Sequence, residues 1–315
     1  MDETHKPSRR SQLKRTAIAK NLQITDRDIF DIFEPLSRHS QLTTRQLVAF
    51  GTRYPTITKA RLSHLWHATE GKRTHWLHRV NEDVPMANHL FTEDMHRLGA
   101  EAETLLQAKG IIPNEPWVAA ARIGGNSKSP SRIIRLAHDH MASQIAIDIE
   151  IGVKSVGLQY RSHVDILHNA PLPTRTTKRP LQLPVTIDGQ YTSIEPDALF
   201  AIGDKYYALE ADRGTESITG VIVPKLKAYR EVVADHIIDD HLAIDNLTVL
   251  FAMTNGSRMR NAMDELGRIA RDGRSAMFGF RVFQKDNILS DNAIPRGEFT
   301  RLPWTRVGLN AIALT

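Results

Sequence analysis

The fold of this chain is decided by two adjacent stretches, IEPDALF at residues 194–200 and YYALEAD at residues 206–212. Both are rich in apolar and aromatic residues, and a Gly-Asp pair between them is a hairpin turn signal, so we predict two paired strands. Side chains alternate faces along a strand, which places Glu210 and Asp212 on the same face. Pairing across the turn would bring Asp197 beside Glu210. The hairpin therefore predicts three carboxylates near one edge of a sheet.

Such a group of acids predicts a metal site, because close carboxylates repel one another unless a cation neutralises them. Oxygen ligands suit hard divalent ions, so Mg²⁺ or Mn²⁺ is the predicted cofactor. A helix predicted over residues 219–233 carries Lys225 and Tyr229 four residues apart beside its apolar face, and a cation there could reach the acids. The alternative is a solvated hairpin with surface acids.

The pattern of residues 196–197 (Pro-Asp), 209–215 (LEADRGT) and 225–229 (KLKAY) resembles the PD-(D/E)XK nuclease fold. In particular it is similar to the replication-relaxation family, which is related to MobC-type plasmid mobilisation relaxases. The resemblance extends over most of the chain, but only these central residues are specific.

This resemblance implies a metal-dependent nuclease site in which Asp197, Glu210 and Asp212 hold the ion and take part in catalysis. Asp212 stands where the last motif residue is usually Lys. The catalytic lysine would then come from the next helix, and Lys225 is the candidate.

Composition limits the class of protein. The 315 residues are 41% apolar and 24% charged, which is typical of a soluble protein with two domains. Long apolar runs and a secretory signal are both lacking, so we expect a cytoplasmic protein without a membrane span. The chain has no cysteine, which excludes disulfides and thiolate metal sites.

Basic residues are concentrated in the N-terminal third. The net charge is +5 and the pI about 9.4. Residues 1–20 hold six Lys or Arg and two acids, and predict a disordered basic arm. Residues 51–80 hold six Lys or Arg and one acid. Such blocks are typical of a polyanion partner, most often nucleic acid.

Residues 21–118 predict a winged helix-turn-helix domain that binds double-stranded DNA. Three short helices are followed by a basic turn and a strand, which is the order of that fold. The third helix would place Lys59, Arg61 and His64 outward, and the turn Lys72-Arg73 would be the wing along the phosphate backbone. The alternative is a small helical subdomain that binds protein. A further helix predicted from residue 91 has an apolar stripe that fits a core or a homodimer seam.

Residues 119–315 predict a PD-(D/E)XK restriction-endonuclease-like domain with a central mixed sheet, so the fold class is mixed α/β. A helix over residues 131–151 offers Glu150 as a further acid for the metal. Its His138-Asp139-His140 sequence does not match the histidine pair of metal-binding relaxases, since the context is helical. Residues 156–168 are expected to be extended, and the loop 171–184 carries Arg175, Lys178 and Arg179.

Another predicted helix begins at Ser257 and carries Arg258 and Arg260 in its first turn. Cations there oppose the helix dipole, which favours an anion partner such as DNA. Two functions that involve DNA binding remain open. One is sequence-directed DNA binding with metal-dependent nicking in plasmid or mobile-element mobilisation or replication. The other is a DNA-binding regulator, or an accessory of mobilisation or replication proteins, with an inactive nuclease-like domain. A dimeric scaffold that does not bind DNA is a third alternative.

Overall fold

A computed structural model describes residues 22–68, 75–80, 94–118, 131–283 and 294–315. The predicted basic arm and the turn Lys72-Arg73 lie outside these residues. In the described parts the chain forms an N-terminal unit of helices with a small sheet, followed by a larger α/β unit. None of the described helices combines the length and apolar content needed to cross a bilayer.

The N-terminal unit contains three helical segments between residues 22 and 68. Its elements are α1 (Asp26–Asp28), a π-helical turn (Ile29–Phe33), α2 (Glu34–Arg38), β1 (Leu42–Thr43), α3 (Thr44–Phe50), α4 (Pro55–His67), β2 (Leu77–Arg79), β3 (Met95–Leu98) and α5 (Ala100–Ala108). Thr25 begins the first helix with a capping box to Asp28. The helical segment then continues past Pro35, which lies in the first turn of α2. The π-helical turn ends at Phe33, two residues before this proline, which has no N–H to donate.

Residues 95–98 form a strand, and the predicted helix begins only at Ala100. The strand lies between β1 and β2 in an antiparallel sheet of order β1-β3-β2. Gly99 separates strand from helix because a side chain there would lie 2.0 Å from the carbonyl oxygen of His75. Long-range pairing with β1 thus overrides the local helical pattern.

The larger unit is built on one mixed sheet. Its elements are α6 (Ser131–Ser155), β4 (Tyr160–Ser162), α7 (His163–Asn169), α8 (Leu172–Arg175), β5 (Leu183–Ile187), β6 (Gln190–Ile194), β7 (Ala198–Ile202), β8 (Lys205–Asp212), a π-helical turn (Ile218–Ile222), α9 (Val223–Ala234), α10 (Ile237–Leu242), β9 (Thr248–Met253), α11 (Gly256–Ile269), a 3₁₀ turn (Arg271–Gly273), β10 (Phe278–Val282), α12 (Glu298–Arg301), β11 (Trp304–Arg306) and β12 (Leu309–Ile312).

The seven strands follow the order β12-β11-β10-β9-β8-β7-β4, and β5 pairs with β6 in a separate hairpin. The central pairs β8·β9 and β9·β10 are parallel, whereas the outer pairs are antiparallel. The mixed α/β class is therefore confirmed. Helix α6 packs on one face of the sheet, through residues such as Met141 and Ile145. Helices α9 and α11 cover the other face, through residues such as Leu226 and Leu266.

Residues 156–168, predicted as extended, are a strand only at 160–162. The following segment is helix α7, because Ser162 and Asp165 form a capping box at its start. Phe33 in the N-terminal unit and Val164 in α7 belong to the same buried apolar cluster. The N-terminal unit therefore shares a core with the larger one.

Candidate functional site

The hairpin of β7 and β8 sets the position of Asp197. Ala198 is opposite Leu209, and the backbone N–H of Asp197 donates to the Leu209 carbonyl at 3.0 Å. The Asp197 carboxylate then accepts from the backbone N–H of Ala211 at 2.7 Å. These two bonds fix the carboxylate beside Glu210, as the strand pairing predicted.

Glu210 is buried between the sheet and α9, with 1% of its surface exposed. Lys225 Nζ lies 2.6 Å from its Oε2, and the Tyr229 hydroxyl donates to its Oε1 at 2.5 Å. Both partners come from one face of α9, four residues apart. Burial, and then the negative charge of Asp197, raise the pKa of Glu210 to about 7, although Lys225 and Tyr229 act in the opposite direction.

Lys225 remains charged in this pair. Burial opposes its charge, but the neighbouring carboxylates Glu210 and Asp197 outweigh that effect and raise its pKa above the ordinary range of lysine. Its side chain is 27% exposed. Solvent therefore reaches the lysine but not the glutamate beneath it.

Asp212 does not join the other two acids. Its carboxylate forms an ion pair with Arg258 of α11, which donates through Nε and Nη2, and it accepts from the Gly214 N–H at 3.0 Å. Among the described residues, no group of three His, Cys, Asp or Glu side chains has an arrangement that could hold a metal ion. The three-carboxylate metal site predicted from strand alternation is not formed in this arrangement.

His138 of α6 is a member of the site that sequence reasoning set aside. Its Nε2 lies 3.3 Å from the Asp197 carboxylate, and its Nδ1 lies 3.9 Å from Asp139. Burial lowers the pKa of His138, but hydrogen bonds and charge from both acids outweigh it and raise the pKa to about 10. Each of the three predicted acids thus has a protein cation beside it.

Glu150 lies elsewhere. It is fully buried on α6, where His39 Nε2 is 2.7 Å from its carboxylate, Arg38 is at 3.0 Å and Lys154 at 2.7 Å. No contact joins it to Asp197 or Glu210 among the described residues. The suggestion that it adds an acid to the metal site is therefore wrong, because its charge is neutralised by the N-terminal unit.

A family model with the description Replication-relaxation matches residues 33–246, more than half of the chain. The chain belongs to the replication-relaxation family. Membership implies a role in plasmid replication or relaxation. No curated protein and no solved structure gives a significant match.

The segment that carries the replication-relaxation match includes Asp197, Glu210, Lys225 and His138, and it ends before Arg258. It also includes α4, the predicted DNA-contacting helix of this family member. Lys59 and His64 are exposed on that helix. Tyr54 and Ile57 at its start are exposed by 77% and 53%.

Two other predicted DNA contacts have internal partners. Arg61 donates to the buried Asp28 at 2.6 and 2.9 Å and to the Gln23 carbonyl. Arg258 holds Asp212, as described above. Arg260 is exposed on α11. The positive surface of this replication-relaxation protein is therefore smaller than its count of basic residues suggests.

Proposed function

We propose that the protein binds double-stranded DNA through helix α4 as its task in plasmid replication or relaxation. The order of elements in the N-terminal unit supports this, since it runs helix, strand, two helices and two strands in a β1-β3-β2 sheet, the order expected of a winged helix-turn-helix. In that fold the helix before the second strand enters the major groove. The predicted wing, Lys72-Arg73, lies outside the described residues.

The exposed face of α4 is the observation that carries the proposal. Tyr54 and Ile57 are large apolar side chains exposed at the start of α4, and the exposed cation Lys59 follows Ile57 by two residues. Apolar side chains contact the thymine methyl group in the major groove, and lysines contact phosphates. A helix that exposes both kinds of side chain in its first turns is suited to DNA, whereas a merely solvated helix start has no need of the two apolar groups.

Fluorescence anisotropy with duplex fragments from the DNA around the gene tests this proposal. Lys59→Ala should weaken binding to all duplexes and lower the slope of log K against log salt by about 0.9, the value for one phosphate contact. Ile57→Ala should weaken mainly the best-bound fragment, by about tenfold, as expected for a lost base contact. Lys205→Ala, an exposed lysine on β8, is the control. Wild-type affinity in both α4 variants would contradict the proposal.

A second candidate function is metal-dependent nicking, favoured by the grouping of Asp197, Glu210 and Lys225. This grouping is compatible with the PD-(D/E)XK-like site implied by the resemblance to MobC-type relaxases. In such a site the lysine would come from α9 and not from the strand. Asp197 and Glu210 are oxygen donors of the type that Mg²⁺ and Mn²⁺ prefer. The described residues offer no third side-chain ligand beside them. A bound ion would supply an acidified water and stabilise negative charge on the phosphate.

Supercoiled plasmid carrying the same DNA, incubated with Mg²⁺ or Mn²⁺, separates nicking from binding alone. Nicking by the wild type that is lost in Asp197→Asn and Glu210→Gln, and kept in Asp204→Asn, would support the enzyme. Intact supercoiled DNA together with normal duplex binding would instead leave a regulator or accessory protein. Partner proteins and a homodimer stay predictions of the sequence.

A further inference from the structure

A cavity of about 680 Å³ lies between the N-terminal unit and the larger unit, and we call it the junction cavity. Arg38, Arg97 and Trp117 line it from the N-terminal side. Helix α6 and the loop after α8 line it from the other side, and Asp197 lies at its wall. The cavity therefore connects the candidate site with the unit proposed to bind DNA.

Positive charge dominates the wall of the junction cavity. Its lining includes five Lys or Arg side chains and the charged His138, against three carboxylates. Arg135 and Lys178 are exposed, and neither makes an ion pair within the described part of the chain. Two cations without acidic partners in the wall of one concave cavity favour an anionic ligand.

Two aromatic rings lie in the same wall, of which Trp117 is 6% exposed and His163 is half-buried. The Trp117 ring lies 6.2 Å from the His163 ring in an edge-on arrangement, and both residues line the cavity. The Trp117 Nε1–H is buried and has no hydrogen-bond partner among the described residues. Burial lowers the pKa of His163 to about 4, so this ring is neutral at pH 7 and adds an aromatic edge instead of a charge. Cations next to aromatic rings are the combination found in sites for single-stranded nucleic acid.

We propose that the junction cavity binds a short stretch of single-stranded DNA, with phosphates held by Arg135 and Lys178 and a base beside Trp117. The volume is in the range of pockets that enclose one small ligand. It is too small for a duplex, whose major groove alone is about 12 Å wide. The strand would pass Asp197, so the proposal rests on the DNA-binding function above and adds to it a strand-specific site.

Anisotropy of a fluorescein-labelled thymidine octamer tests the site in the full-length protein without divalent ions. Arg135→Ala combined with Lys178→Ala should weaken octamer binding on the order of tenfold at low salt. It should also lower the log-log salt slope by roughly 1.4, the single-strand value for two phosphates. The same variant should bind duplex fragments like the wild type. Lys205→Ala combined with Arg271→Ala, which removes one exposed Lys and one exposed Arg elsewhere, is the matched control.

Five results would overturn the proposal. Unchanged octamer binding in the Arg135 and Lys178 variant, or equal loss in the control, would mean that the cavity is not the site. Wild-type protein that binds duplex but no octamer would contradict the single-strand site and leave the proposed function standing. Wild-type protein that binds neither duplex nor octamer would contradict both proposals. Competition by thymidine monophosphate or inorganic phosphate at the same concentration as the octamer would show a small-anion site, and not a strand site.

Discussion

His39 Nε2 lies 2.7 Å from Glu150 Oε2, and this buried contact joins the N-terminal unit to helix α6 of the larger unit. Arg38 reaches the other Glu150 oxygen at 3.0 Å. Burial opposes the Glu150 charge, but the His39 hydrogen bond and the Arg38 charge outweigh it and hold the pKa well below its usual range. The arrangement of the two units around the junction cavity depends on this contact.

Glu150→Gln should lower the free energy of unfolding by about 3 kcal/mol, because it leaves Arg38 and His39 without their buried partner. The depressed pKa means that the stabilisation is present above pH 4.5 and is lost as the pH falls below that value. Urea unfolding at several pH values measures both effects. Glu265→Gln breaks a surface pair with Arg268 and should cost less than 1 kcal/mol. Equal costs for the two variants would contradict the role given to Glu150.

The contribution of Glu210 to stability should change with pH in the opposite direction to that of Glu150. Its pKa is raised from 4.5 to about 7, so the folded state binds this proton more tightly than the unfolded state does. The contribution is complete below pH 4.5 and is lost as the pH rises to 7. In buffer with a chelator, the stability difference between wild type and Glu210→Gln should therefore shift by about 1 kcal/mol per pH unit across that window. A constant difference between pH 4.5 and 7 would show that Glu210 is already ionised throughout.

The sequence predicts the parts of this site that depend on residues close together along the chain, but not those that depend on residues far apart along it. The hairpin and the four-residue spacing of Lys225 and Tyr229 are local patterns, and the structure brings them to Glu210. Asp212 obeys the same alternation, yet Arg258, 46 residues later, takes its carboxylate. His138 reaches Asp197 from another helix, and no spacing within α6 reveals such a partner. Local periodicity therefore predicts strands and helix faces but not the cation that each acid meets.

The pairing of His138 with Asp197 predicts a histidine that stays charged far above neutral pH. Asp197→Asn should lower the His138 pKa from about 10 by at least about one unit, because a nearby opposite charge is lost. NMR of the imidazole carbons in metal-free buffer measures it, with His138→Gln to assign the signal and Asp204→Asn as the control. Because the raised pKa stabilises the fold fully below pH 6.5, that contribution is lost between pH 6.5 and 10. An unchanged pKa in Asp197→Asn would contradict the pairing.

Arg61 and Lys59 should separate folding from DNA binding on the same helix. Arg61→Ala leaves the buried Asp28 with Arg53 at 2.8 Å as its remaining cation, so we expect a loss of about 2 kcal/mol in stability. Lys59→Ala should leave stability unchanged and weaken duplex binding. Thermal unfolding and duplex anisotropy on the same samples measure both quantities. If folded Arg61→Ala loses as much duplex affinity as Lys59→Ala, then Arg61 contacts DNA after all.

Two helical glycines should respond in opposite ways to alanine. Gly152 of α6 lies against α12, and an added Cβ would be 2.8 Å from the Gly297 Cα and 2.3 Å from Thr300 Oγ1. Gly152→Ala must therefore push α12 away and should destabilise the fold by about 1–3 kcal/mol, as overpacking does. Gly267 of α11 has only an ordinary contact, Val307 at 3.6 Å. Gly267→Ala should stabilise the protein by about 0.5–1 kcal/mol through helix propensity. Thermal unfolding decides between the two signs, and stabilisation by Gly152→Ala would mean that α12 does not pack closely on α6.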